Sequence, residues 1–320
     1  MRFPALLLLP IWATCLSFGV AAQPYPAKTV RIIVPFAPGG GSDFIARFTA
    51  QRLSTAFGSQ VIVENRPGAG GLLGIDLGVK ADPDGYTLTL IASSYTVNPA
   101  LYPLKYDPVG DIAPVVQISQ GPMLVVVNPK VPARSAVELI ALAKAKPGTL
   151  NFASAGQGSI THMAGELFAY MAGIKMNHVP YKGTGPALTD TIAGQVDLFV
   201  SSTATALPHV KAGRLRALAV TTASRLPAEP NVPTLAESGV AGYDVPIWHG
   251  LIGPKGMPRP AVERINSEVN RMLQSKETVD LLQSDGVSPA GGSPEAFHDR
   301  IRKEVQLWRK AVADTGVKVQ

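Results

Sequence analysis

Short β-branched runs alternate along this chain with longer stretches whose apolar residues recur every three or four positions. Val30-Arg31-Ile32-Ile33-Val34 is such a run, and a Pro/Gly turn follows it. Residues 42–57 then place Ile45, Phe48 and Leu53 on one helical face. Further strands are predicted at Val61-Ile62-Val63, Tyr86 to Ile91, Val115-Val116 and Leu124 to Val127, and helices at 135–145 and 160–172. A second series of strands fits Leu150 to Ala153, Val196 to Phe199 and Leu215 to Val220. Near the C-terminus, Val262, Ile265, Val269 and Leu273 share one helical face, and Phe297, Ile301, Val305, Trp308 and Val312 share another. Alternation of this kind predicts an α/β protein with mostly parallel sheets.

Two successive βα series followed by helices predict two α/β lobes. The chain is expected to cross between them at Gln120-Gly121-Pro122 and again at Val245-Pro246-Ile247-Trp248. Lobe 1 then comprises residues 23–121 plus 248–320, with the C-terminal helices returning to it, and lobe 2 comprises 122–247. Residues 1–22 read as a secretory signal peptide. Met1-Arg2 is a positive start, Ala5 to Val20 is almost entirely apolar, and Val20-Ala21-Ala22 is a small-residue cleavage pattern before Gln23. The single cysteine, Cys15, lies in that leader, so the exported chain has no thiol for disulfides, nucleophilic catalysis or metal ligation. Net charge is +6, from 29 basic and 23 acidic residues scattered without like-charged runs. That pattern argues against a nucleic-acid arm or a polybasic membrane patch.

Two glycine-rich turns carry the candidate chemistry. The first is Pro35-Phe36-Ala37-Pro38-Gly39-Gly40-Gly41-Ser42-Asp43, between a strand and a helix, with Ser42 or Asp43 available as a cap. Its free N–H groups and the positive helix start suit a carboxylate or phosphate. The second is Ser154-Ala155-Gly156-Gln157-Gly158-Ser159-Ile160-Thr161-His162, where His162 is expected to be a neutral hydrogen-bonding group rather than a base. Gly40 and Gly158 are expected to hold positive-φ turns. One turn in each lobe suggests two anion holders facing each other across a cleft. Ser93, Ser94 and Thr96, with the amide of Asn98, follow a strand at the end where α/β clefts bind ligands. Tyr181 could wall the pocket, and Ser201, Phe36 and Trp248 complete the candidate set.

Nucleotide motifs fail on spacing, because Phe44 stands where G-x-G-x-x-G needs glycine and no G-x-x-x-x-G-K-[ST] exists. The five histidines show no zinc-ligand spacing, and there is no G-x-S-x-G elbow. No cofactor is expected.

Several strings together resemble the substrate-binding proteins of tripartite tricarboxylate transporters, the TctC or Bug-type receptors. They are Pro24-Tyr25-Pro26, Ile33 to Asp43, Val63-Glu64-Asn65-Arg66-Pro67-Gly68-Ala69-Gly70-Gly71 and Asp84-Gly85-Tyr86-Thr87-Leu88. Val179-Pro180-Tyr181-Lys182-Gly183, Gly194-Gln195-Val196-Asp197, Leu207 to Gly213 and Val232 to Glu237 continue the series in order. The resemblance implies a periplasmic, two-lobed "Venus flytrap" of the type II binding-protein class with two hinge crossovers. It implies small carboxylate ligands held largely by backbone amides and waters from the two facing loops. One departure is Ser201, where the family often carries an aspartate, so no ligand needing a counter-charge there is expected.

The resulting expectation is a monomeric binding module and not an enzyme. The first loop captures an anion, hinge closure brings Ser159 onto it, and a membrane permease or a sensor reads the closed form. The rival expectation is an exported hydrolase using Ser42 or Ser159 with a histidine.

Overall fold

The structure, a computed structural model, describes residues 25–284 and 286–316; the leader expected over 1–22 lies outside them. Its strands are β1 (Val30–Val34), β2 (Val61–Asn65), β3 (Thr87–Ala92), β4 (Ile112–Gly121), β5 (Met123–Val127), β6 (Asn151–Ser154), β7 (Asn177–Pro180), β8 (Leu198–Ser202), β9 (Arg216–Val220), β10 (Ile247–Pro254) and β11 (Ser288–Pro289). The helices are α1 (Gly41–Phe57), α2 (Leu72–Val79), α3 (Ser94–Leu101), α4 (Ala136–Ala145), α5 (Ile160–Ala172), α6 (Thr184–Ala193), α7 (Thr203–Lys211), α8 (Arg259–Leu273), α9 (Lys276–Ser284) and α10 (Pro294–Thr315). Two sheets form, in the orders β11-β4-β10-β3-β1-β2 and β7-β6-β8-β5-β9.

The expectation of mostly parallel sheets holds for β1–β3 and β6–β8 and fails for β5 and β10. Each of these two lies inside its sheet and runs antiparallel to both neighbours. The reason is topological. Both are the first strands after a crossing, so they leave the seam between the sheets, whereas the strands of βα units run toward it. β10 also escaped the hydrophobic pattern because Gly250, Gly253 and His249 dilute its apolar signal.

Period-two alternation along β5 sends Met123, Val125 and Val127 to one face, against Leu139, Met163 and Phe168. Leu124 and Val126 point to the other face, against Leu188 and Leu207. In the first sheet, Ile45, Phe48 and Leu53 of α1 and Val262, Ile265 and Val269 of α8 cover Ile32, Leu88 and Val115. The stripe on α10 divides. Phe297, Ile301 and Val305 join Trp248 and Tyr95 in the first lobe. Trp308 instead enters the core of the second, where Val312 packs against it. The expectation that this helix returns wholly to lobe 1 is therefore corrected: one apolar face spans both cores. Burying Trp308 there contributes on the order of 2 kcal/mol to holding the lobes together.

The chain crosses at Gly121-Pro122-Met123 and returns through residues 221–246. Thr221 clips the two passages. Its hydroxyl accepts from the Met123 N–H at 2.9 Å and donates to the Val245 carbonyl at 2.8 Å.

Candidate functional site

Strands β1, β3, β6, β7 and β8 run directly into the turns that open α1, α3, α5, α6 and α7, so those helix starts gather at the ends of the two sheets. The lobes meet there. The Tyr102 hydroxyl, just after α3, donates to the Gln157 carbonyl at 3.4 Å. A Cβ at Gly70 would stand 3.3 Å from that same carbonyl.

In the first turn, α1 is capped by Gly40 with no side-chain hydrogen bond. Neither Ser42 nor Asp43 caps it, contrary to expectation. The buried Asp43 carboxylate instead faces back along the loop. It accepts from the Gly39 N–H at 3.0 Å, Arg47 Nε at 2.9 Å and Asn65 Nδ2 at 2.9 Å. Burial opposes its ionisation, but the bonds from Arg47, Gly39 and Asn65 prevail and hold it below the usual carboxylate range. The same Asn65 amide group donates to the Phe36 carbonyl at 3.0 Å. A Cβ at Gly71 would touch the Phe36 ring at 3.3 Å. Asp43 and Asn65 therefore brace the loop, leaving the Gly41, Ser42 and Asp43 N–H groups at an uncapped helix start. Gly39 has φ +85 and needs glycine, whereas Gly40 is extended at φ −92 and does not. The positive-φ expectation moves by one residue.

The second turn uses most of its donors internally. The Ala155 N–H bonds Thr161 Oγ1 at 2.8 Å, that of Gly156 bonds Ser154 Oγ at 3.1 Å, and that of Gly158 bonds His162 Nδ1 at 3.2 Å. Ser159 is the N-cap of α5 and accepts from the His162 N–H at 3.2 Å. His162 Nδ1, as an acceptor, carries no proton, and Nε2 faces Glu166 at 3.6 Å. Stacked on it at 3.8 Å is His178, whose Nε2 lies 2.6 Å from Ser154 Oγ. Burial and the neighbouring His162 push the His178 imidazole down to about 3, so it stands as a neutral strut behind the turn. Gly158 has φ +75, as expected. The Ile160 and Thr161 N–H groups remain at the start of α5.

The other candidates separate into committed and free groups. Ser93 Oγ accepts from the Trp248 N–H at 2.8 Å and so fastens the start of α3 to β10, while Thr96 Oγ1 donates to the Ser93 carbonyl at 2.8 Å and lies 3.1 Å from the Glu304 carboxylate of α10. Trp248 is fully buried and its indole donates to Glu304 of α10 at 2.8 Å. Its assignment to the cleft is corrected: it is a core residue of lobe 1. The Tyr181 hydroxyl is engaged by Asp190 at 2.8 Å, and burial with that carboxylate pushes it up to about 12. Ser201 is buried in β8 and donates to the Ser202 carbonyl at 3.3 Å. The Ser94 hydroxyl, in the first turn of α3, makes no hydrogen bond to the described residues, and the buried Asn98 one turn on has neither amide atom paired. An orphaned buried group of this kind costs about 1–3 kcal/mol.

A family model for the tripartite tricarboxylate transporter family receptor matches residues 45–317. The chain belongs to that family. Solved structures agree. It is similar to R. palustris Rpa4515 with adipate (34% identity, 92% of this chain and 99% of that one, TM-score 0.87). It is similar to the periplasmic binding protein BugD (32% identity, 92% and 100%, TM-score 0.85). It is similar to MatC from Rhodopseudomonas palustris with bound malate (31% identity, 90% and 100%, TM-score 0.84). The two-sheet architecture of this receptor is thus the two-lobed periplasmic binding-protein fold.

The hydrolase alternative does not fit this receptor. Ser159 meets a backbone N–H of His162 and not its ring, and Ser42 contacts no histidine. Among the described residues, the two serine–imidazole contacts are Ser154–His178 and Ser119–His249, and both serines are fully buried. Sequence reasoning missed Asn65 and His178 as braces. Asn65 stood within the family-like string, but nothing local showed that it reaches Asp43.

Proposed function

We propose that this receptor captures a small carboxylate, with one carboxylate group on the uncapped start of α1 and the rest enclosed by the α5 turn. The observation that carries the reading is the set of Gly41, Ser42 and Asp43 N–H groups at a helix start without a side-chain cap. Arg47 offsets the Asp43 charge beside them, so the local field favours an anion. Two relatives are described with adipate and with malate, which supports the carboxylate class. The lobes are 23–121 with 248–320 and 122–247, and the clipped crossings form the hinge. The receptor works without catalysis, as a monomer in the periplasm after removal of the leader near Ala22. It hands its ligand to a membrane permease or reports it to a sensor.

Mass spectrometry of the small molecule released from purified, denatured protein tests the assignment. A carboxylate is expected. Thermal shift should follow small carboxylates and not nucleotides, with about 2.7 kcal/mol of added stability at a hundredfold excess over Kd. A nucleotide shift without a carboxylate shift would reverse the reading.

A further inference from the structure

The two lobes touch on the side of the sheets away from the crossings. In the first sheet β4 leads into one crossing and β10 receives the other, and β2 stands three strands beyond β10. In the second sheet β6 stands two strands beyond β5. At about 4.8 Å per strand, β2 and β6 lie roughly 14 and 10 Å from the crossing strands. Yet β2 runs on into the 69–71 turn and β6 into the turn that holds Gln157, and the two turns meet. A rotation that opens the cleft about the crossings must pull this contact apart, because displacement grows with distance from the axis.

The contact is built on backbone. The Tyr102 ring lies on Gly158, where a Cβ would stand 2.8 Å from the hydroxyl and 3.0 Å from Cε2. Its hydroxyl donates to the Gln157 carbonyl, and Gly70 closes on the same oxygen from the 69–71 turn. Burial raises the Tyr102 hydroxyl above the usual tyrosine range, so it stays a neutral donor. Tyr102 follows α3, whose start is fastened to β10 through Ser93. We propose that Tyr102 and the 69–71 turn form a latch across the lobes, with Tyr102 as a positioning residue that keeps the cleft shut on its ligand. The inference rests on the binding reading above and adds the residue that sets how fast the ligand leaves.

Residues 23–320 contain no cysteine, so Leu77→Cys in lobe 1 and Thr189→Cys in lobe 2, both exposed, take spin labels selectively. Pulsed electron resonance between the labels, with stopped-flow titration of malate and adipate, tests the latch. Tyr102→Ala should lengthen the label distances without added carboxylate, and saturating carboxylate should restore the short distance only in part. Dissociation of whichever acid binds should speed up about tenfold or more, with association changed less than about threefold, since a contact made after capture acts on the off-rate. Tyr102→Phe, which keeps the ring on Gly158 and loses the hydroxyl bond, should show a smaller rise. Wild-type label distances in Tyr102→Ala, or an unchanged dissociation rate, would overturn the latch and leave the carboxylate reading standing. If wild type binds neither acid, the carboxylate reading falls, and the label distances without added carboxylate decide the latch alone: lengthening supports it and no change overturns it.

Discussion

The turns that open α1 and α5 are both strand–glycine–helix units, yet they treat their backbone donors in opposite ways. The α1 turn has an uncapped start and one carboxylate, Asp43, folded back to hold the loop from behind. The α5 turn has the Ser159 cap, Ser154, a threonine and a histidine that consume the N–H groups of Ala155, Gly156, Gly158 and His162. The first is a donor-rich mouth on a braced but open loop; the second is a stiff wall with the N–H groups of Gln157, Ile160 and Thr161 left. A helix start binds an anion only as far as its own side chains leave it unfilled. Similar composition therefore supports different tasks, first attachment in one lobe and enclosure in the other.

The largest effect should come from Gly158→Val. Its φ of +75 is a left-handed conformation, and a Cβ there would lie 2.8 Å from the Tyr102 hydroxyl. Strain of about 1–3 kcal/mol plus displacement of Tyr102 should reduce carboxylate affinity by roughly a hundredfold or more. Calorimetry with circular dichroism as a folding control measures it; near-normal affinity in folded protein would remove the α5 turn from the site.

Acid should separate the two turns next. His178 and His249 are held neutral by burial, with His162 adding to the effect at His178, at about 3 and about 4 against an ordinary 6.5. Below pH 6.5 the unfolded chain binds protons that the native chain refuses. Stability is therefore full above that pH and falls toward pH 4 and below. For the fully buried His249 the loss is about 3 kcal/mol across its window. Hydrogen exchange should rise in residues 155–162 before 39–43, and a melting temperature flat from pH 7 to 4 would contradict the strut role.

Asp43→Ala removes the acceptor of three bonds and should cost ~2 kcal/mol of stability. It should weaken binding as the first loop loosens, a change that melting and titration would detect together. Ser159→Ala, which loses a cap but few donors to the ligand, should cost ~1 kcal/mol with a smaller effect on affinity. Smallest of all is Gly40→Ala. With φ −92 and nothing within 4 Å of a Cβ, it should stay within about 0.5 kcal/mol of wild type in denaturant unfolding. A large loss there would mean that the open loop is as tightly built as the α5 turn.

Much of this was legible along the chain because it is local. Apolar periodicity located α1, α4, α5 and α8 and most strands, and glycine, serine and proline placed the turns that end or begin them. Where the reading slipped, the deciding partner was far away in sequence. Ser93 and Trp248 looked like cleft residues until β10 was seen to pair with β3, 155 positions apart for their mutual bond. Asp43 looked like a cap until Asn65 was seen beside it.

The sequence by itself determined most of the elements, the two βα series and the residue types at the strand ends, since propensity, period and turn chemistry act over a few residues. Only the tertiary structure decided which donors stay free. Whether an N–H or an amide is spent inside the fold depends on which distant side chain reaches it, as His162 reaches Gly158 and none reaches Asn98. That is a property of the packed chain, because a hydrogen bond is set by distance and direction and not by composition.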